Sequence, residues 1–336
     1  MKDRFFRRFI ALSLLVTVLL FTGCSASRPI ESTEEEARVV GTVGEFEVLY
    51  EEFRFIALTY KQTLINTYGE DIFDDLEKAE ALSRQIKDYV YNTITANYAV
   101  LTMCREVGIE ADDPILLESV QKKIEETIES LGGRRKYIKY LEENYLTDNF
   151  LRFNTCVDLM QNELFYVYVD DMGLIESEDN YEKISDIIEE KFIRTQHIYI
   201  SKANGKPYEE NKRLIEEAYA RIENGEDFMP LVDEFGEDDE MTSDGIYIIS
   251  GYMDSKYEDV AFNLNVGKYS EIVETDSAFY IIKRLEQDPL YTMWNYDTLC
   301  ERYQQYTFLG MIDDTQKYLE FLPNEYLKSL NILDIE

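Results

Sequence analysis

Phe192-Ile193-Arg194-Thr195-Gln196-His197-Ile198-Tyr199-Ile200 is where the periodicity of this chain changes. Before it, apolar residues recur at helical spacing, as in Leu82, Ile86, Tyr89, Val90, Ile94, Tyr98 and Leu101. At Ile193 the pattern becomes that of a strand, and that strand carries the chain's one histidine. Downstream, 207–224 reads as a helix with Leu214, Ile215, Ala218, Tyr219 and Ile222 on one face and a stop at Gly225. Short helices follow at 228–235 and 255–262, with a strand at 246–249 between them. A hairpin of 269–275 and 278–285 turns across Asp276-Ser277. The order β-α-α-β-α-β-β predicts a compact α+β unit over 192–288.

The flanks are helical. Val39-Val40-Gly41-Thr42-Val43, Gly44-Glu45 and Phe46-Glu47-Val48 predict a small hairpin. Helices are expected at 50–68 and 74–107, the latter ending at Gly108. Asp112-Asp113-Pro114 opens another, closing at Gly132-Gly133. More follow at 135–145, 147–171 and 181–190, and the helical period returns through 291–321. The expected fold class is α+β. One helical domain, 38–191 plus 289–336, is built from both chain ends, and an inserted domain, 192–288, carries a four-stranded antiparallel sheet.

A length of 336 residues suits about two domains. The formal net charge of −34 excludes a general nucleic-acid binder, which needs clustered Lys and Arg. It also disfavours docking on anionic lipid through a basic patch. Apolar residues at 45%, with 26 Tyr and 18 Phe, supply enough buriable area for a packed core despite that charge. One histidine excludes multi-His zinc sites and His-pair chemistry. Glu237-Asp238-Asp239-Glu240 lacks the spacing and central glycine of a calcium loop, so neither a metal nor a cofactor is expected. The α/β repeats of a solute-binding lipoprotein are missing from the helical first half.

Residues 1–8 carry Lys2, Arg4, Arg7 and Arg8 against Asp3, and 9–21 are free of charge. That run is too short to span a bilayer as a mature helix and fits a signal peptide. Thr22-Gly23-Cys24 resembles the lipobox of bacterial lipoproteins, with Phe21 where Leu is usual and Leu20 beside it. The resemblance implies cleavage after residue 23, a diacylglyceride on Cys24 and a solvated tether over 24–37. Cys104, Cys156 and Cys300 sit among apolar residues in helical patterns and read as buried side chains. A single bridge among them stays open.

Eight further pieces stand in order along the α+β unit. They are Gln196-His197-Ile198, Asn224-Gly225-Glu226-Asp227-Phe228, Glu234-Phe235-Gly236-Glu237-Asp238 and Asp244-Gly245, then Gly251-Tyr252-Met253, Ala261-Phe262-Asn263-Leu264, Val266-Gly267-Lys268-Tyr269-Ser270 and Ile281-Ile282-Lys283. Together they resemble the parvulin family of peptidyl-prolyl cis/trans isomerases. With the hairpin at 39–48 and the long helices, the whole chain resembles extracytoplasmic foldases of the PrsA/SurA type. The resemblance implies a protein on the outer face of the bacterial cytoplasmic membrane, held by the lipid on Cys24. It implies exported, unfolded or partly folded polypeptides with Xaa-Pro bonds as partners. It admits a homodimer through the helical part.

Rotation about an amide meets a barrier of about 18–20 kcal/mol from N–C resonance. Catalysing it needs an apolar cup for proline and preorganised polar groups for the twisted amide, with no cofactor or nucleophile. The resemblance places the first family histidine at His197 and the acidic position at Asp238. It places Tyr280 where the second histidine would stand, so the implied centre is His197, Asp238 and Tyr280. Met253, Tyr257 and Phe262 are the implied proline-contacting residues. Read without the resemblance, His197 is a core histidine, Asp238 part of a solvated acidic loop, and Met253, Tyr257 and Phe262 core residues. Retained isomerase activity and a holdase chaperone that has lost turnover are both compatible with the tyrosine at position 280.

Overall fold

The computed structural model describes residues 32–74 and 76–335. The leader over 1–23, Cys24 and most of the tether lie outside the described residues. No helix among the described residues is long and apolar enough to cross a membrane. The chain opens with β1 (Val39–Val43) and β2 (Phe46–Leu49). Five helices follow: α1 (Tyr50–Tyr68), α2 (Leu76–Glu106), α3 (Pro114–Ser130), α4 (Arg134–Glu143) and α5 (Asp148–Tyr166). Next come α6 (Tyr181–Lys191), β3 (Ile193–Ser201), α7 (Tyr208–Glu223), α8 (Phe228–Phe235), β4 (Ile246–Ile248), α9 (Ser255–Ala261), β5 (Val273–Glu274) and β6 (Ala278–Leu285). The chain closes with α10 (Pro289–Trp294), α11 (Tyr296–Gln316), β7 (Phe321–Pro323) and α12 (Glu325–Ser329).

The described residues form two compact units, one within 32–167 and 312–335, the other Tyr168–Met311. The fold is α+β, with a helical unit from both chain ends and a four-stranded antiparallel sheet in the segment between them. In the first unit, Asp113 caps α3 by accepting from the N–H groups of Ile115 and Leu116 at 2.8 and 3.2 Å, with Pro114 at the first helical position. The helical period was expected to run to residue 321. Instead α11 ends at Gln316, and Phe321–Pro323 pairs antiparallel with β1, giving a three-stranded sheet in the order β2-β1-β7. Gly41 permits this: a Cβ there would lie 2.5 Å from the Phe321 ring and 2.7 Å from the Leu322 carbonyl oxygen. Cys104, Cys156 and Cys300 are buried and free.

The second unit holds the sheet in the order β4-β3-β6-β5. Side chains alternate along β3, so its two faces serve two layers. Ile198 and Ile200 meet Phe279 and Ile281, and α7 and α8 close over them with Ile215, Ile222, Phe228 and Leu231. On the other face Ile193, Ile248, Tyr280 and Ile282 meet Tyr257 and Ala261 of α9. The arm expected at 269–275 is a strand only at Val273–Glu274, with an isolated bridge from Tyr269 to Lys283. The reason is Ser270: its N–H donates to the Ile282 carbonyl at 2.7 Å, but its hydroxyl, not its carbonyl, takes the Ile282 N–H at 2.9 Å. That interrupts the ladder.

One buried carboxyl in the first unit sets a pH dependence. Tyr98 Oη lies 3.0 Å from Glu52 Oε2 and 3.1 Å from the Glu47 carbonyl oxygen. A single phenol proton cannot serve two acceptors, so both contacts are satisfied only when Glu52 itself carries a proton. Burial pushes the Glu52 carboxyl up to about 7, helped by the neighbouring Glu51 and opposed by Tyr98 and Asn97. The folded state therefore keeps a proton that the unfolded chain releases near its ordinary value of 4.5. This contribution is full below that value and is lost as pH rises through about 7, a loss on the order of 3 kcal/mol. Glu52→Gln supplies a permanent donor. Urea unfolding should find the variant more stable than the parent at about pH 8 and equal to it at about pH 4. Parallel pH profiles for the two proteins would contradict a protonated Glu52.

Candidate active site

Thr195, His197 and Tyr199 share one face of β3 because they are two residues apart. Opposite them on β6 stand Arg284, Ile282 and Tyr280. His197 is 3% exposed, yet both ring nitrogens have partners. Nε2 lies 3.0 Å from Asp238 Oδ2, and Nδ1 lies 3.2 Å from the Tyr257 hydroxyl. Tyr257 Oη is a further 3.0 Å from Thr195 Oγ1.

Asp238 reaches His197 because the loop after α8 is tied to the strand. Glu237 N–H donates to the Tyr199 carbonyl at 2.8 Å, and Glu237 Oε2 accepts from Ser201 N–H at 2.9 Å. Asn204 and Lys206 donate to the other Glu237 oxygen. Gln196, pointing to the opposite face, donates to the carbonyls of Thr242 and Ser243 at 3.0 Å. The residue after Glu237 is thereby delivered over the histidine. The His197 imidazole holds the Asp238 carboxyl below its ordinary value, burial opposes this, and the Glu240 N–H adds to it. Asp238 is thus a carboxylate at neutral pH, and about a third of its side chain is exposed.

Met253 is half-buried against the layer of Tyr257, Tyr280 and Ile282. Its loop is pinned by Glu258 of α9, which accepts from the N–H groups of Gly251 and Met253 at 2.9 and 2.8 Å. Phe262, just past α9, is 37% exposed. Tyr257 is fully buried, so its hydroxyl faces the histidine and its ring lies under the surface. Tyr280 packs its ring against the imidazole: its centroid is 5.5 Å from that of His197 at 85°, with Tyr199 and Tyr257 also against it. Burial, with Tyr199, Asp254 and Asp238, pushes the Tyr280 hydroxyl up to about 12, so it stays a donor at neutral pH.

The structure brings His197, Asp238, Tyr280, Met253 and Tyr257 around one strand face, and the hydroxyl on the imidazole is that of Tyr257. Sequence reasoning passed over Thr195 and Glu258. Period-2 alternation from His197 was enough to find Thr195. Glu258 carries no local signal, because its role is to hold a loop five to seven residues back.

A family model described as the PPIC-type PPIase domain matches residues 182–288. Beyond that domain, the chain is similar to the foldase protein PrsA of Caldanaerobacter subterraneus subsp. tengcongensis, 24% identical over 289 residues, 82% of each chain. It is 26% identical over 179 residues to PrsA of Geobacillus kaustophilus, covering 51% of this chain and 55% of that one. A solved structure of the peptidylprolyl isomerase PrsA from Bacillus anthracis aligns with a TM-score of 0.35 at 16% identity, over 66% of this chain and 94% of that one.

Within the matched segment, Gly245 lets the chain after the Asp238 loop return closely to β3. Its φ is +65°, and a Cβ would lie 2.4 Å from the Thr195 carbonyl oxygen. Gly245→Ala costs about 1–2 kcal/mol for the backbone conformation alone, before the clash. Thermal unfolding of the variant should show a Tm lower by roughly 4 °C or more, and an unchanged Tm would contradict the close approach.

Proposed function

We propose that this chain is a lipid-anchored extracytoplasmic foldase whose PPIase domain isomerises Xaa-Pro bonds in exported polypeptides. The observation that carries the reading is the pair of buried His197 and half-buried Asp238 beside half-buried Met253, inside the matched segment. An Xaa-Pro bond isomerises unaided in tens to hundreds of seconds because resonance must be broken. In the twisted state the nitrogen loses conjugation and the carbonyl regains double-bond character. A dry apolar floor lowers the cost of losing charge separation in the amide. Met253, packed on the layer of Tyr257, Tyr280 and Ile282, offers that floor, and Asp238 is the more exposed partner of the pair; Phe262 is exposed and is not packed in that layer. Proton transfer is not required, so the His197–Asp238 link acts as a fixed dipole.

The relatives named foldase are matched well outside the PPIase domain, which supports client binding by the helical unit. That unit has an open cleft of about 610 Å³, lined by Tyr91, Thr95, Gln316, Lys317, Phe321 and Pro323 among others. Its mixture of aromatic and polar groups suits an extended, unfolded segment. The anchor reading rests on the lipobox-like Thr22-Gly23-Cys24.

Protease-coupled isomerisation of an Xaa-Pro tetrapeptide tests the enzyme reading. The full chain should accelerate the slow phase, and Asp238→Asn should lower kcat/KM by about 10- to 100-fold, the worth of a charge-assisted hydrogen bond. An uncatalysed rate at micromolar protein would sink the enzyme reading. If Asp238→Asn still suppresses aggregation of an unfolded client as the parent does, the helical unit holds clients without turnover.

A further inference from the structure

The chain has one histidine, and its protonation pattern can be worked out from its neighbours. Thr195, Tyr257, His197 and Asp238 form a line of three hydrogen bonds at 3.0, 3.2 and 3.0 Å. Asp238 is a carboxylate and can only accept, so the proton of that link sits on Nε2. A neutral imidazole protonated on Nε2 has a lone pair on Nδ1, which must accept. Tyr257 therefore donates to Nδ1, and its oxygen accepts from Thr195. The other neutral tautomer would turn the Nε2 lone pair toward the carboxylate, setting two acceptors face to face. Tyr257 is suited to a fixed donor role: it is fully buried, and burial pushes its hydroxyl far above the ordinary value. Tyr280 meets the same imidazole by ring contact, its plane at 85° to that of the histidine.

We propose that Tyr257, oriented by Thr195, is the positioning residue that fixes His197 as its Nε2–H tautomer, filling from helix α9 the place that the parvulin resemblance assigns to a second histidine on β6. The proposal rests on the isomerase reading for its consequence, but not for its test. It separates two tyrosines by function: Tyr257 orders the imidazole, and Tyr280 walls the site.

A single histidine makes the test unambiguous. The full chain, without a histidine tag, is labelled with ¹⁵N, and the imidazole nitrogens are observed across a pH series and compared at its alkaline plateau. The parent should show two widely separated signals, protonated-type Nε2 and unprotonated-type Nδ1. Tyr257→Phe keeps the ring and removes the hydroxyl. It should draw the two signals toward the tautomer average and lower kcat about tenfold with KM little changed. Thr195→Val should shift the signals in the same direction by less, and Tyr280→Phe should leave their separation in place. A parent signal pattern of the Nδ1–H tautomer overturns the proposal whether or not any variant folds. So does a Tyr257→Phe protein with unchanged imidazole signals, or a Tyr280→Phe protein in which they collapse. A parent that holds the Nε2–H tautomer yet shows no isomerase activity overturns the isomerase reading and leaves the tautomer assignment standing.

Discussion

Arg194 faces Leu285 and Ser201 faces Ala278 across the central strand pair, with every position between them in register. Side chains alternate across a strand, so a slip of one residue would carry Thr195, His197 and Tyr199 to the face covered by α7 and α8. It would also turn Ile198 and Ile200 toward the site. The two apolar layers resist that exchange, since each is filled by residues from both strands and from its own helices. The same register places Tyr280 opposite Tyr199, which is why three aromatic rings, Tyr199, Tyr257 and Tyr280, enclose the imidazole. The loop bearing Asp238 then needs only to be hung from the strand, and Glu237 does this by bonding to the backbone at Tyr199 and Ser201.

A chain with twice as many acidic as basic side chains must place most carboxylates in water. Two that it buries or half-buries show opposite solutions. Asp238 keeps its charge because an N–H of His197 and a backbone N–H meet its two oxygens. Glu52 is met by neutral groups, Asn97 and a phenol already shared with the Glu47 carbonyl, and burial favours its protonated form instead. The first arrangement is compatible with a site that polarises a substrate. The second ties β2, α1 and α2 together in a way that weakens as pH rises.

Most of the element order was legible because the period of apolar residues changes cleanly from near 3.6 to 2 at Ile193, and because Gly and Pro punctuate the turns. The short strand at Phe321–Pro323 was not. Three residues are too few for a period, and what makes them a strand is pairing with Gly41–Val43 at the far end of the sequence. The arm at 269–272 failed for a different reason, a serine hydroxyl standing in for a ladder carbonyl. At the site, motif order located His197, Asp238, Met253 and Tyr257 along the chain. It did not say which hydroxyl meets the imidazole. That depends on α9 lying across the β3–β6 pair, so a residue that reads as a proline contact becomes a hydrogen-bond donor from beneath the strand.

Exchanging an imidazole for a phenol in such a centre changes what pH can do to it. Two facing imidazoles share protons that leave near neutrality, so their hydrogen-bond direction can reverse in the working range. A buried phenol holds its proton throughout that range, as Tyr257 and Tyr280 both do. The direction of the line from Thr195 to Asp238 is then set by the carboxylate at one end and the phenol in its middle. Turning an amide about its C–N bond moves no proton, so the isomerisation proposed above would lose nothing by this simplification. What the geometry gives His197 is a fixed orientation, held by a phenol that keeps its proton.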